Sequence, residues 1–170
     1  MIAAVLFAAA AACPHFPPSE KRRSSIAAAI TSAAAALDAV HLERAPISYA
    51  RGSVVAGKLK LARESVRTLA LANGKLAESQ SLLFYWNLFD CAWSAHDNVR
   101  EVAVALFDML DDLKPGEKIY DEILALARAV DVAGFDLNDA IGNISRDGAI
   151  IMKSADECAL GLKYAKPIKD

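Results

Sequence analysis

The chain has 170 residues, a length that suits one domain burying a sizeable core, and a formal net charge of −2 excludes a polyanion binder as a whole. Hydrophobic residues make up 55%, but 35 of them are alanines, set against only 8 glycines and 6 prolines. Alanine is the best helix former and the β-branched residues are scattered, so the composition argues for helix and against sheet.

Ile2–Ala12 is an unbroken apolar run ending at Cys13 and followed by Pro14-His15-Phe16-Pro17-Pro18. Eleven helical residues rise only about 16 Å, too short for a hydrocarbon core of about 30 Å. The run suits the apolar region of an export signal, with Ala10-Ala11-Ala12 as a cleavage site. Phe7–Ala12 followed by Cys13 resembles the lipobox of bacterial lipoproteins, although no Lys or Arg precedes it and Ala10 stands where leucine is usual. The resemblance covers about thirteen residues and implies lipidation at Cys13, membrane anchorage through the N-terminus and an envelope location. The alternative is a first helix that packs in the bundle and ends at Pro17-Pro18. Residues 1–18 are thus read as a signal and tether, and 19–170 as one helical domain.

Ser19 is placed to cap a helix running to about Arg44, where Pro46 stops it. Ile26, Ile30, Ala33, Leu37 and Val40 draw a single apolar stripe on it. A second helix spans about Ser48 to Ala72, its stripe being Val55, Leu59, Ala62, Val66 and Leu69, with Asn73-Gly74 as a left-handed stop. The two form an antiparallel hairpin. Asp38 and His41 stand one turn apart as a metal pair would, but no second copy of the pair exists, so a surface pairing is the expectation.

The third helix, about Leu76 to Ala95, carries a polar strip of Gln80, Asn87, Asp90, Ser94 and Asp97. Phe84, Tyr85, Trp86, Phe89 and Trp93 crowd into ten of its residues. The alanine-rich partners need bulk, so composition favours this cluster as core; otherwise Trp86 and Trp93 are exposed partner-binding anchors. His96-Asp97 reads as a helix terminus, with a carboxylate-assisted general base as the sharper alternative. Asn98-Val99-Arg100-Glu101 has the form of a capping box and predicts a fourth helix ending before Pro115-Gly116, inward at Val102, Leu106, Met109 and Leu113. Whether helices three and four form one rod stays open. A fifth helix is predicted over about Glu117 to Ala133, inward at Ile119, Ile123, Leu126 and Val130. The last, Asp136 to Ala165, has a seam of Leu137, Ile141, Ile144, Gly148, Ile151, Ala155, Cys158 and Leu162. The repeated 4-3 spacing predicts an all-α, compact antiparallel bundle of four to six helices with left-handed packing.

Three cysteines remain to be assigned: with Cys13 lipidated, Cys91 and Cys158 can pair across a loop of about 67 residues. Their spacing does not fit zinc. No nucleophile elbow, phosphate loop, HExxH or haem-attachment motif is present, and Met109 or Met152 gives only a weak case for bound haem. No cofactor is therefore expected. The basic face of Lys58, Lys60, Arg63 and Arg67 lacks interleaved aromatics, which argues against nucleic acid. Charge is uneven: Asp90 to Asp139 holds twelve acids and four bases, −8. These features converge on a non-enzymatic envelope protein that acts through a protein partner or as a homo-oligomer. The alternatives are a cytoplasmic or phage-encoded assembly or inhibitor protein docking through 90–139, and a ligand-binding or enzymatic bundle using His96 and Asp97.

Overall fold

The computed structural model describes residues 20–41, 49–75 and 82–164, with side chains described over 23–41, 51–75 and 86–146. Four helices carry nearly all of them: α1 (Glu20–Asp38), α2 (Tyr49–Lys75), α3 (Leu82–Leu110) and α4 (Lys118–Tyr164). No strand occurs among the described residues. The chain is an all-α bundle.

The heptad-like stripes become the core. Ile26, Ala33, Leu37 and Val40 of α1 are buried, as are Val55, Leu59, Ala62, Val66 and Leu69 of α2, while Ile30 packs against the core partly buried. From α3 come Leu88, Ala92, Ala95, Val99, Val102, Leu106 and Met109. From α4 come Ile123, Ala127, Val130, Ala133, Leu137, Ala140, Ile141 and Ile144, with Ile119 and Leu126 half-buried at the edge. Burying such stripes against one another supplies the main stabilisation, because helix propensity alone is marginal.

α1 packs on α2 and α4, and α3 packs on α2 and α4, so the helices form a ring. Cross-helix bonds give the directions. Ser32 donates to Asp136 Oδ2 at 2.8 Å, and Asn143 donates to Ser25 Oγ at 3.2 Å, so α1 and α4 are antiparallel. Between α2 and α3, Arg51 meets Asp112 at 3.0 Å, Lys58 meets Glu101, and Asn98 donates to Ser65 Oγ at 2.7 Å, which makes that pair antiparallel too. On α1 and α2, Arg63 holds both the Leu37 carbonyl and the Asp38 carboxylate.

The break predicted before Asp136 and the stop predicted at Asn73-Gly74 are absent, and the continuity left open at Asn98 is resolved. α3 runs unbroken through Asn98, so the third and fourth predicted helices are one, and His96 lies in mid-helix rather than at a terminus. The capping-box residues have other partners: Asn98 bonds Ser65 and Ser94, and Glu101 pairs with Lys58. α4 likewise runs through Gly134-Phe135-Asp136, merging the last two predicted helices into 47 residues, about 70 Å. α2 continues past Asn73-Gly74 to Lys75 without a left-handed residue there.

The α3–α4 connection is legible in its chemistry. The end of α3 tightens, with Asp112 and Leu113 donating to the Met109 and Leu110 carbonyls. Glu117 N–H then donates to the Lys114 carbonyl at 3.2 Å across Pro115-Gly116, with Gly116 at φ 89°. Proline followed by a left-handed glycine is the type II turn arrangement.

Candidate protein-binding face

α3 carries two apolar stripes, and only one faces the core. Leu88, Ala92, Ala95, Val99, Val102, Leu106 and Met109 point inward. The second stripe, Trp86, Phe89, Trp93, His96, Arg100, Val104 and Phe107, repeats at steps of three and four and looks outward on the α4 side. Trp86 is 53% exposed and Trp93 41%. The composition-based expectation that this cluster fills the core is therefore corrected for the two tryptophans. The core-facing side of α3 is already filled by Leu88, Ala92, Ala95, Val99, Val102, Leu106 and Met109, and the indoles lie outside it.

The two exposed indoles alternate along the helix with the half-buried rings of Phe89 and His96. Trp86 and Phe89 meet edge-to-face with centroids 6.2 Å apart, Phe89 and Trp93 at 6.2 Å, and Trp93 and His96 at 5.5 Å. Such T-shaped contacts each add about 0.5–1.5 kcal/mol beyond area burial and fix the rings in place. From α4, Phe135 extends the stripe sideways, 59% exposed, with the Arg100 guanidinium 5.9 Å above its ring. Arg100 also lays its aliphatic stem across Gly134, where a side chain would stand only 3.1 Å from its Cγ. The absent side chain is what lets Arg100 lie flat between the helices.

Sequence reasoning named Trp86 and Trp93 but missed Arg100, Phe107 and Phe135 as their companions. The signal was present: two interleaved apolar stripes on one helix cannot both be core when the neighbouring helices are narrow and alanine-lined.

Asp90, Asp97, Glu101 and Asp108 follow one another at steps of seven, four and seven along the α2 side of this stripe. Glu101 is neutralised by Lys58, and Asp97 Oδ1 lies 3.0 Å from His96 Nδ1. The carboxylates of Asp90 and Asp108 have no ion-pair partner among the described residues. Arg51, the nearest cation of α2, instead engages Asp112 and the Asp108 carbonyl. Of the basic face of α2, Lys58 and Arg63 are spent within the bundle, on Glu101 and on Asp38 and the Leu37 carbonyl, while Lys60 and Arg67 are exposed.

On the other side of α3, a shallow groove of about 270 Å³ is lined by Glu64, Ser65, Thr68, Asp90, Cys91 and Ser94. Cys91 carries a free thiol there. Burial, reinforced by the Asp90 charge, pushes that thiol up from its ordinary pKa, so it stays protonated at neutral pH and is a poor nucleophile. His96 faces away, toward α4, and cannot serve this groove as a base. Asp38 is taken by Arg63 rather than paired with His41. Among the described residues no three His, Cys, Asp or Glu side chains converge as metal ligands, and no helix is long and apolar enough to cross a membrane. Cys13, with the apolar run before it, lies outside the described residues, as do the side chains of Cys158, Phe84, Tyr85 and Met152 and the predicted seam from Gly148 onward. Comparison with family models, with curated proteins and with solved structures found no match to the chain.

Proposed function

We propose that this chain is a non-enzymatic protein-binding or structural bundle whose working surface is the outward stripe of α3. The carrying observation is the ladder Trp86–Phe89–Trp93–His96, in which the half-buried Phe89 and His96 hold the exposed Trp86 and Trp93 in place on a helix that already has a complete core-facing stripe. Exposed apolar surface costs solubility, and aromatic anchors of this kind dominate binding energy where they are buried by a partner. Among the described residues the Cys91 thiol is held protonated, and His96, although paired with Asp97, faces away from it, so the two do not form a nucleophile–base pair. Placement in the cell envelope, with lipid on Cys13, is the companion proposal, supported by the Ile2–Ala12 run and by the cysteine that ends it.

Two measurements test this. Replacing Trp93 with the photoreactive residue p-benzoylphenylalanine in the native host should give a discrete adduct with one protein. The same residue at Thr31, on the exposed face of α1, should not. Identical or absent adducts at the two positions refute the α3 reading. Intact mass of the native protein decides location: loss of residues 1–12 with acyl mass on Cys13 supports the envelope, whereas an unmodified chain from Met1 points to a cytoplasmic or virion assembly role.

A further inference from the structure

Resting on that protein-binding reading, we infer that the occupant of the α3 stripe is an amphipathic helix with a cationic edge, contributed by another protein. The stripe from Trp86 to Phe107 runs parallel to the helix axis for about 30 Å, the length of some six helical turns. Its residues recur at three and four, which is the spacing an apolar helix face presents in return. Phe135 of α4, under the Arg100 guanidinium, widens the apolar surface beyond the stripe of α3 itself.

Charge selects among the possible occupants. Along one rim stand Asp90, Asp97 and Asp108, exposed and on a single strip, within a stretch of chain that carries −8. α2 leaves Asp90 and Asp108 without an ion pair, since Lys58 and Arg51 are engaged with Glu101 and Asp112. Lysines or arginines along one edge of an incoming helix would meet this row while its apolar face covers the rings. A second copy of the chain fits less well. A two-fold axis through the middle of the stripe, at His96-Asp97, sets Asp97 against its own copy and faces two acidic rims toward one contact. An anionic bilayer or a nucleic acid meets the same repulsion.

The test uses the full-length chain and two synthetic helical peptides of about 21 residues, leucine at the seam positions and alanine elsewhere, one edged with lysine and the other with glutamate. Neither contains an aromatic residue. Trp86 and Trp93 are the chain's two tryptophans, so intrinsic fluorescence reports this stripe alone. The lysine-edged peptide should shift the emission to the blue and shield it from acrylamide, whereas the glutamate-edged peptide should not. Anisotropy of the labelled lysine peptide should show roughly tenfold weaker binding to the Asp90→Asn, Asp97→Asn, Asp108→Asn triple variant, with the difference shrinking at high salt. Those three positions are exposed, and circular dichroism checks that the variant stays folded. Equal blue shifts with both peptides would overturn the cationic requirement and leave the protein-binding reading standing. Lysine-peptide binding without a tryptophan response would place the site elsewhere and overturn both. A dimer by sedimentation, with emission already blue and no response to either peptide, would make a second copy the occupant and overturn the inference. A monomer that binds neither peptide overturns it outright.

Discussion

The contact between Gly134 and Arg100 makes a sharp quantitative prediction. In a helix interior, Gly→Ala gains about 1 kcal/mol from backbone propensity when the new methyl group has room. At Gly142, also inside α4, nothing stands within 4 Å, so Gly142→Ala should show the whole gain, raising the melting temperature by about 2–4 °C for a chain of this size. At Gly134 the methyl would meet Arg100 Cγ at 3.1 Å, against an optimal carbon–carbon separation of about 3.5–4.0 Å. The Arg100 stem must retreat by a few tenths of an ångström, lifting its guanidinium from the Phe135 ring, a contact worth about 0.5–1 kcal/mol at an exposed site. Gly134→Ala should therefore gain less than about 0.5 kcal/mol. In an Arg100→Ala background the obstacle is gone, and the same substitution should recover about 1 kcal/mol. The coupling between the two positions is then about 0.5–1 kcal/mol. Urea unfolding followed by tryptophan fluorescence gives all four corners of the cycle. Additivity of the two substitutions, or equal gains at Gly134 and Gly142, would refute the close approach described here.

Other outcomes follow from the packing and the side-chain bonds. Leu106 is completely buried on α3, and Leu106→Ala should cost about 2–5 kcal/mol, read as a lower urea midpoint at unchanged slope. Ser32→Ala removes a bond to the half-buried Asp136 carboxylate and should cost about 1–2 kcal/mol, more than the loss of an exposed ion pair such as Arg51–Asp112 at under about 1 kcal/mol. Peptide-resolved alkylation at pH 8 should label Cys91 more slowly than an unstructured cysteine, and Asp90→Asn should speed it, because burial and then the Asp90 charge both disfavour the thiolate. The raised thiol pKa means the folded chain holds this proton more tightly than the unfolded one. Its stabilising contribution is thus full below about pH 8.5 and is lost as pH rises through the folded-state value. Stability of the parent chain should fall more steeply above pH 9 than that of Cys91→Ala; parallel curves would contradict the assignment.

The inward stripes of α1 and α2 were readable residue by residue, because Ile26, Leu37, Val55 and Leu69 have no competing use. The continuity of α3 and α4 was not. Asn98 and Glu101 are spaced as a helix start requires, yet both are turned sideways to Ser65 and Lys58 of α2. Gly134 and Asp136 resemble a break for the same reason: one makes room for Arg100 and the other accepts from Ser32. Residues that cap a helix and residues that bond a neighbouring helix have the same chemistry, and local sequence does not separate them. The aromatic cluster was weighed toward the core because bulk was assumed to be needed there. Instead Ala33, Ala62, Ala92, Ala95 and Ala127 take core positions, and the two indoles were left outside.

That alanine-lined interior also determines how the protein would respond to random mutation. A core of large side chains suffers chiefly from truncation, which leaves holes. Here, single-base changes at an alanine codon lead to valine, threonine, serine, proline, glycine, aspartate or glutamate, and most of these add volume or charge at fully buried positions. Overfilling a packed interior costs about 1–3 kcal/mol, and a buried carboxylate costs more. A saturation library should therefore show its deepest intolerance at the smallest residues, Ala33, Ala62 and Ala95, while Trp86 and Trp93 tolerate more in an assay that scores folding alone, losing only their edge-to-face contacts.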